Sequence, residues 1–101
     1  MTDFKDISIE FFEENLKDDS KIIDIRDLDS FSSGNIPNST NYNSTDLIEL
    51  SESTNKQENI VVVCYHGNSS RKVAAYLTKC GFQNIYSLIG GYSEWKEKYS
   101  K

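Results

Sequence analysis

Ile60-Val61-Val62-Val63, a run of β-branched residues with no polar interruption, constrains this chain more than any other stretch. A strand with one wet face alternates apolar and polar side chains, and this run does not. It is expected to be buried on both faces, as in a parallel sheet covered by helices on either side. Parallel neighbours need long crossovers, so the rest of the chain should alternate helix with strand. Ser8 is placed to cap a helix carrying Ile9, Phe12 and Leu16 at helical spacing, broken by Asp18-Asp19-Ser20. Lys21-Ile22-Ile23-Asp24-Ile25-Arg26 reads as a short strand ending in charges. Leu28 to Phe31 suits one helical turn, Gly34-Asn35-Ile36-Pro37-Asn38 a turn, Thr40 to Asn43 a brief strand and Asp46 to Glu52 a helix. Beyond the Val run, the pattern predicts a helix from Arg71 to Cys80 with Gly81 as its C′ residue, then a strand over Ile85-Tyr86-Ser87-Leu88. Gly90-Gly91 then turns into a last helix carrying Trp95. The expected fold class is α/β, a small central parallel sheet with helices on both faces.

Length and composition bound the rest. A chain of 101 residues with no Pro/Gly linker or internal repeat fits one domain, residues 1–101. With 37% hydrophobic residues, five Phe and six Tyr, it carries too much apolar material to be a disordered tail. Sixteen acidic against eleven basic side chains leave a net charge of −5, which gives no general attraction for nucleic acid or an anionic membrane surface. The balance is uneven: residues 1–58 hold fourteen acidic and five basic side chains, whereas residues 59–93 hold Arg71, Lys72 and Lys79 and no carboxylate. Cys64 and Cys80 are too few for a disulfide scaffold. The first residues lack the basic-then-apolar pattern of a secretory signal, and the apolar runs are too short to cross a bilayer. A cytoplasmic protein with reduced thiols is expected.

Cys64 follows the Val run and precedes a helix, with Tyr65-His66-Gly67-Asn68-Ser69-Ser70 between. In open α/β folds ligands bind outside the carboxyl ends of strands. A loop of this length can curl its N–H groups around one point, and the helix N-terminus adds positive potential there. Both favour an anion, a thiolate included, and so favour Cys64 as a nucleophile. The bland alternative is a small buried residue at a strand end. A packing cysteine, however, has no need of a Gly/Asn/Ser/Ser ring before a helix.

These residues carry a resemblance to the single-domain rhodaneses, a family of sulfurtransferases. Ile22-Ile23-Asp24-Ile25-Arg26 resembles the family's early Asp-x-Arg strand, and Phe31 with Gly34-Asn35-Ile36-Pro37-Asn38 its Gly-His-Ile-Pro-Gly turn. Ile60 to Tyr65 resembles the strand into the active cysteine, and Leu88-Ile89-Gly90-Gly91-Tyr92-Ser93-Glu94-Trp95 the closing Gly-Gly-x-x-x-Trp. Asn35 stands where the family has His, and Asn38-Ser39 where it has Gly-Ala; these read as structural drift. The loop also lacks the cations of some thiosulfate-using rhodaneses. The resemblance implies a rhodanese-like fold, no cofactor, and double displacement through a Cys64 persulfide. Thiosulfate would be the donor, and cyanide or a thiol such as thioredoxin the acceptor, in a monomer or homodimer.

Each further residue has two readings. Tyr65, His66, Gly67, Asn68, Ser69 and Ser70 would bind substrate or persulfide; His66 is otherwise an exposed loop residue and Ser70 otherwise the N-cap of the next helix. Arg71 and Lys72, cations in a first helical turn, oppose the helix dipole and would attract a divalent anion, or else form a solvated face. Asp24 and Arg26 would brace the strand end near the loop. Cys80, Phe82, Tyr86 and Trp95 read as core. Cys64, His66 and Cys80 cannot supply the paired spacings of a zinc site, so no metal is expected. Two other functions compete: a persulfide carrier that docks on a protein partner, and a cysteine phosphatase. The latter needs Cys-x5-Arg, but here Ser70 holds the Arg position and Arg71 comes one residue later.

Overall fold

The computed structural model describes residues 3–99. They form five strands and five helices in alternation: β1 Lys5–Ile7, α1 Ile9–Asn15, β2 Lys21–Asp24, α2 Leu28–Ser33, β3 Ser39–Asn41, α3 Ser44–Ser51, β4 Asn59–Val63, α4 Ser69–Lys79, β5 Asn84–Leu88 and α5 Gly91–Tyr99. The strands make one sheet in the order β1-β5-β4-β2-β3, and every pairing is parallel.

The Val run lies where its composition requires, in the middle strand. Ile60 to Val63 are all fully buried, and successive side chains feed two separate cores. Val61 and Val63 join Ile9, Phe12 and Leu16 of α1 and Tyr92 and Trp95 of α5. Ile60 and Val62 join Leu50 of α3 and Ala74 and Leu77 of α4, with Phe82. Each such aliphatic side chain contributes about 1.5 to 3 kcal/mol when fully buried. Helices therefore cover both faces. Cys80, half-buried, packs against the second core, and Tyr86 packs against the first.

Local chemistry sets most ends. The Ser8 hydroxyl accepts from the Phe11 amide at 3.0 Å and starts α1. Asn43 and Asp46 exchange side-chain-to-amide bonds, a reciprocal cap that starts α3 two residues ahead of the expected Asp46. Gly81, at φ +103°, takes the left-handed turn beyond α4. Asn38, at φ +71°, holds the position where the family resemblance has glycine; asparagine is among the few residues that tolerate this region.

The structure adds one element and shifts others. β1 has three residues, of which only Ile7 is buried, so it has no periodicity to read; it exists because β5 offers a free edge, pairing Lys5 with Tyr86 and Ile7 with Leu88. β2 stops at Asp24 because Arg26 turns back to bond that carboxylate. α2 extends past one turn to Ser33, and β3 spans Ser39 to Asn41 rather than reaching Asn43.

Candidate active site

The Cys64 loop occupies the carboxyl end of β4. The connection after β4 runs through α4 on one face, and that after its neighbour β5 runs through α5 on the other. A crevice between strands whose connections part to opposite faces is the usual ligand position in an open α/β sheet.

Cys64 is buried, 5% exposed. The loop returns on it so that the Gly67 N–H donates to Cys64 Sγ at 3.1 Å. This return requires glycine: Gly67 sits at φ +92°, and a Cβ there would stand 2.8 Å from the Gly90 nitrogen and 3.2 Å from the Leu88 carbonyl oxygen. Tyr65, His66, Asn68 and Ser69 are exposed around this turn, and the Tyr65 and His66 rings lie 5.0 Å apart.

Two supports hold the loop from below. At the end of β2, Asp24 and Arg26 form a fully buried pair, with Arg26 Nε and Nη2 on the carboxylate at 2.8 to 3.0 Å. The remaining contacts of Arg26 tie it to the site: Nη2 donates to the Gly34 carbonyl at 2.7 Å. Its guanidinium lies 4.0 Å from the Tyr92 ring centre and 5.7 Å from that of Tyr65. Burying a charge is costly unless it is paired, and bidentate pairing of this kind offsets the cost. The Asp24–Arg26 pair closes the carboxyl end of β2. Asn41 completes it by donating to the Asp24 and Arg26 carbonyls at 3.0 and 2.8 Å.

The second support is the start of α5. The Tyr92 and Ser93 amides donate to the Cys64 and Tyr65 carbonyls at 2.8 and 3.0 Å. Gly91, at φ +63°, makes this approach possible, since a Cβ there would overlap the Cys64 carbonyl and Tyr65 backbone. Gly90-Gly91 is thus more than a turn, because it seats α5 on the loop.

Two expected roles change. Ser70 is not the N-cap of α4, which begins at Ser69 with Asn68 at the cap position and no side-chain cap bond. The Ser70 hydroxyl is instead fully buried and shares a 2.7 Å hydrogen bond with Ser87 of β5, which ties α4 to the sheet beneath the loop. Arg71 does not present an unpaired charge to the loop. Its Nε and Nη2 grip Asp6 of β1 at 3.0 and 3.1 Å, and that hydrogen-bonded carboxylate raises the guanidinium pKa further. Lys72 alone of the two cations is exposed with no acidic partner among the described residues. Asp6, Asn41, Ser87 and Tyr92 escaped the sequence reading; each acts through a contact distant in the chain. Among the described residues no three His, Cys, Asp or Glu side chains gather as metal ligands would.

A parallel α/β domain with a cysteine in a glycine-curled loop, braced by a buried Asp–Arg pair, defines a class of cysteine-loop proteins. The chain belongs to the rhodanese-like family, whose domain description matches residues 8–98. It is 43% identical to the thiosulfate sulfurtransferase GlpE of Coxiella burnetii, over 92% of this chain and 88% of that protein. It is 40% identical to the protein of the same name in Shewanella oneidensis, over 96% and 97% of the two chains. Among solved structures it resembles a rhodanese-related protein from Thermoplasma volcanium, with a TM-score of 0.82, 28% identity, and coverage of 97% and 96%.

Proposed function

We propose that residues 1–101 act as one thiosulfate sulfurtransferase domain that carries the transferred sulfur as a Cys64 persulfide. The observation that carries this reading is the Gly67 amide held 3.1 Å from Cys64 Sγ at the end of the central strand. It stands in a chain 40% and 43% identical to relatives named thiosulfate sulfurtransferase.

In the first half-reaction the Cys64 thiolate attacks the outer sulfur of thiosulfate. A Cys64 S–S bond forms as the S–S bond of thiosulfate breaks, and sulfite leaves with that electron pair. In the second, a lone pair of cyanide or a thiolate attacks the terminal persulfide sulfur, and Cys64 departs as thiolate. Electrons balance with no outside oxidant, and the loop holds anionic sulfur at each resting stage. A donor fixed in advance at that sulfur stabilises it without reorganisation. Gly67 supplies the donor, and the exposed Tyr65, His66, Asn68 and Ser69 form the rim that meets the incoming anion. Ser70 holds the rim to β5, and Lys72 contributes long-range attraction.

The reducing cytoplasm suits this chemistry, because a Cys64 held in a disulfide has no thiolate to offer. No described helix is long and apolar enough to cross a membrane. The acceptor is a small nucleophile or a thiol, with reduced thioredoxin the protein thiol to test first.

Cys64→Ser is expected to abolish transfer, and intact mass after thiosulfate treatment should show one added sulfur on the native protein and none on the variant. Normal turnover by the variant would refute the reading. The phosphatase alternative loses further ground because Arg71 is engaged by Asp6; Cys64-dependent turnover of para-nitrophenyl phosphate would restore it.

A further inference from the structure

A cavity of about 180 Å³ opens between α2, Tyr65 and α5. Arg26, with its side chain only 3% exposed, lies along it. Nε and Nη2 of Arg26 are committed to Asp24 and the Gly34 carbonyl. Nη1 bonds no described residue. No buried side-chain nitrogen or oxygen among the described residues lacks a partner, so Nη1 is the corner of the guanidinium left to solvent. Lys96 also lines the cavity and, among the described residues, takes part in none of the ion pairs. Lys98, two residues on, is held by Glu10 at 2.6 Å and Glu94 at 3.4 Å.

We propose that this cavity seats the carboxylate of a small acceptor thiol, a mercapto acid of amino-acid size, and so aims its sulfur at Cys64. The proposal rests on reading Cys64 as the sulfur carrier. Lys96 and the free Nη1 of Arg26 supply the positive charge. The α2 wall supplies the opposite chemistry. Ser30 donates its hydroxyl to Asp27 at 2.8 Å, and Ser33 donates to the Asp29 carbonyl at 3.0 Å. With both protons committed, these two cavity-lining hydroxyls are left with lone pairs that can accept from an N–H. Thiosulfate is a dianion with no hydrogen to give them, so the wall suits an acceptor with a carboxylate and an amide better than it suits the donor. The Tyr65 and Tyr92 rings provide apolar flanks for the short carbon chain. Tyr65 directly follows Cys64, about 3.8 Å away between Cα atoms. A ligand packed on Tyr65 thus borders the loop that carries the reacting sulfur.

N-acetylcysteine and N-acetylcysteamine share thiol and amide and differ by the carboxylate, so their kcat/KM values with saturating thiosulfate isolate its effect. The native protein is expected to prefer N-acetylcysteine about tenfold, as a charge-assisted hydrogen bond provides. In Lys96→Gln the preference should fall below about twofold. Equal use of the two thiols by the native protein, or a preference that survives in Lys96→Gln, overturns the proposal. Binding is read without turnover by titrating Cys64→Ser with N-acetylalanine and following amide resonances. Saturable shifts at Ser33, Gly34 and Lys96 that Lys96→Gln removes support the subsite, and their absence overturns it. Sulfate binding the same amides more tightly would assign the cavity to the donor and also overturn it. If N-acetylalanine binds but no persulfide forms on Cys64, the sulfurtransferase reading fails and the carboxylate site stands.

Discussion

The Tyr92 amide donates to the Cys64 carbonyl at 2.8 Å, so the first turn of α5 hangs from the start of the Cys64 loop. Gly91 makes that contact possible, and it predicts the effect of adding one methyl group. Gly91→Ala is expected to cost about 1 to 3 kcal/mol in urea denaturation, because its positive φ is strained for alanine. Turnover should fall about 100-fold as the Cys64 carbonyl is pushed aside. A destabilised variant with native kcat would show that α5 does not set the loop geometry.

Arg71 and Asp6 lie 65 positions apart in the chain and meet beside the first turn of α4. Asp6→Asn removes the counter-charge and leaves Arg71 free to attract an anion. The KM for thiosulfate should drop about two- to fivefold at low ionic strength, and the gain should fade as salt screens it. Stability should hardly change, since exposed pairs contribute little. An unchanged KM at low salt would show that this charge does not reach the loop.

The Ser70–Ser87 hydroxyl pair is 2.7 Å long and almost wholly buried. Ser70→Ala or Ser87→Ala alone strands the other hydroxyl, at about 1 to 3 kcal/mol. The double variant should cost less than the two singles together, because no polar group is then left unpaired. Additive losses in denaturant titration would mean the hydroxyls stabilise the fold independently.

Asp27 caps α2 by accepting from the Ser30 amide at 3.0 Å. That backbone hydrogen bond, with the Ser30 hydroxyl second, holds its carboxyl pKa below the ordinary 3.8. A depressed folded pKa contributes stability that is present in full above the ordinary value and is lost as pH falls through the folded one. Asp27→Asn keeps a capping oxygen and removes the charge. The native protein should therefore melt above the variant at neutral pH, and the gap should close below about pH 4. A gap that persists at pH 2 would place its origin elsewhere.

Most of the framework was legible along the chain because it rests on short-range patterns. The Val61 and Val63 alternation with Ile60 and Val62, the Ser8 cap and the Gly81 terminator each act within a few residues, and each stands in the fold as its pattern requires. The loop was legible for the same reason: Gly67 bonds Cys64 from three positions away. β1 was not, since a three-residue strand exists only through pairing with β5.

Charge shows most clearly where sequence stops. Residues 59–93 contain no carboxylate, and along the chain Arg71 and Lys72 look equally free. Folding delivers Asp6 to Arg71 and leaves Lys72 without an acidic partner among the described residues. It also brings Arg26 from β2 against Tyr92 of α5, 4.0 Å from its ring centre. The sequence by itself determined the alternating fold and the curled loop around Cys64, because neighbours in the chain specify them. Only the tertiary structure decided which charges are neutralised, which hydroxyls are paired and what seats the loop, because those depend on partners that meet only after the sheet has assembled.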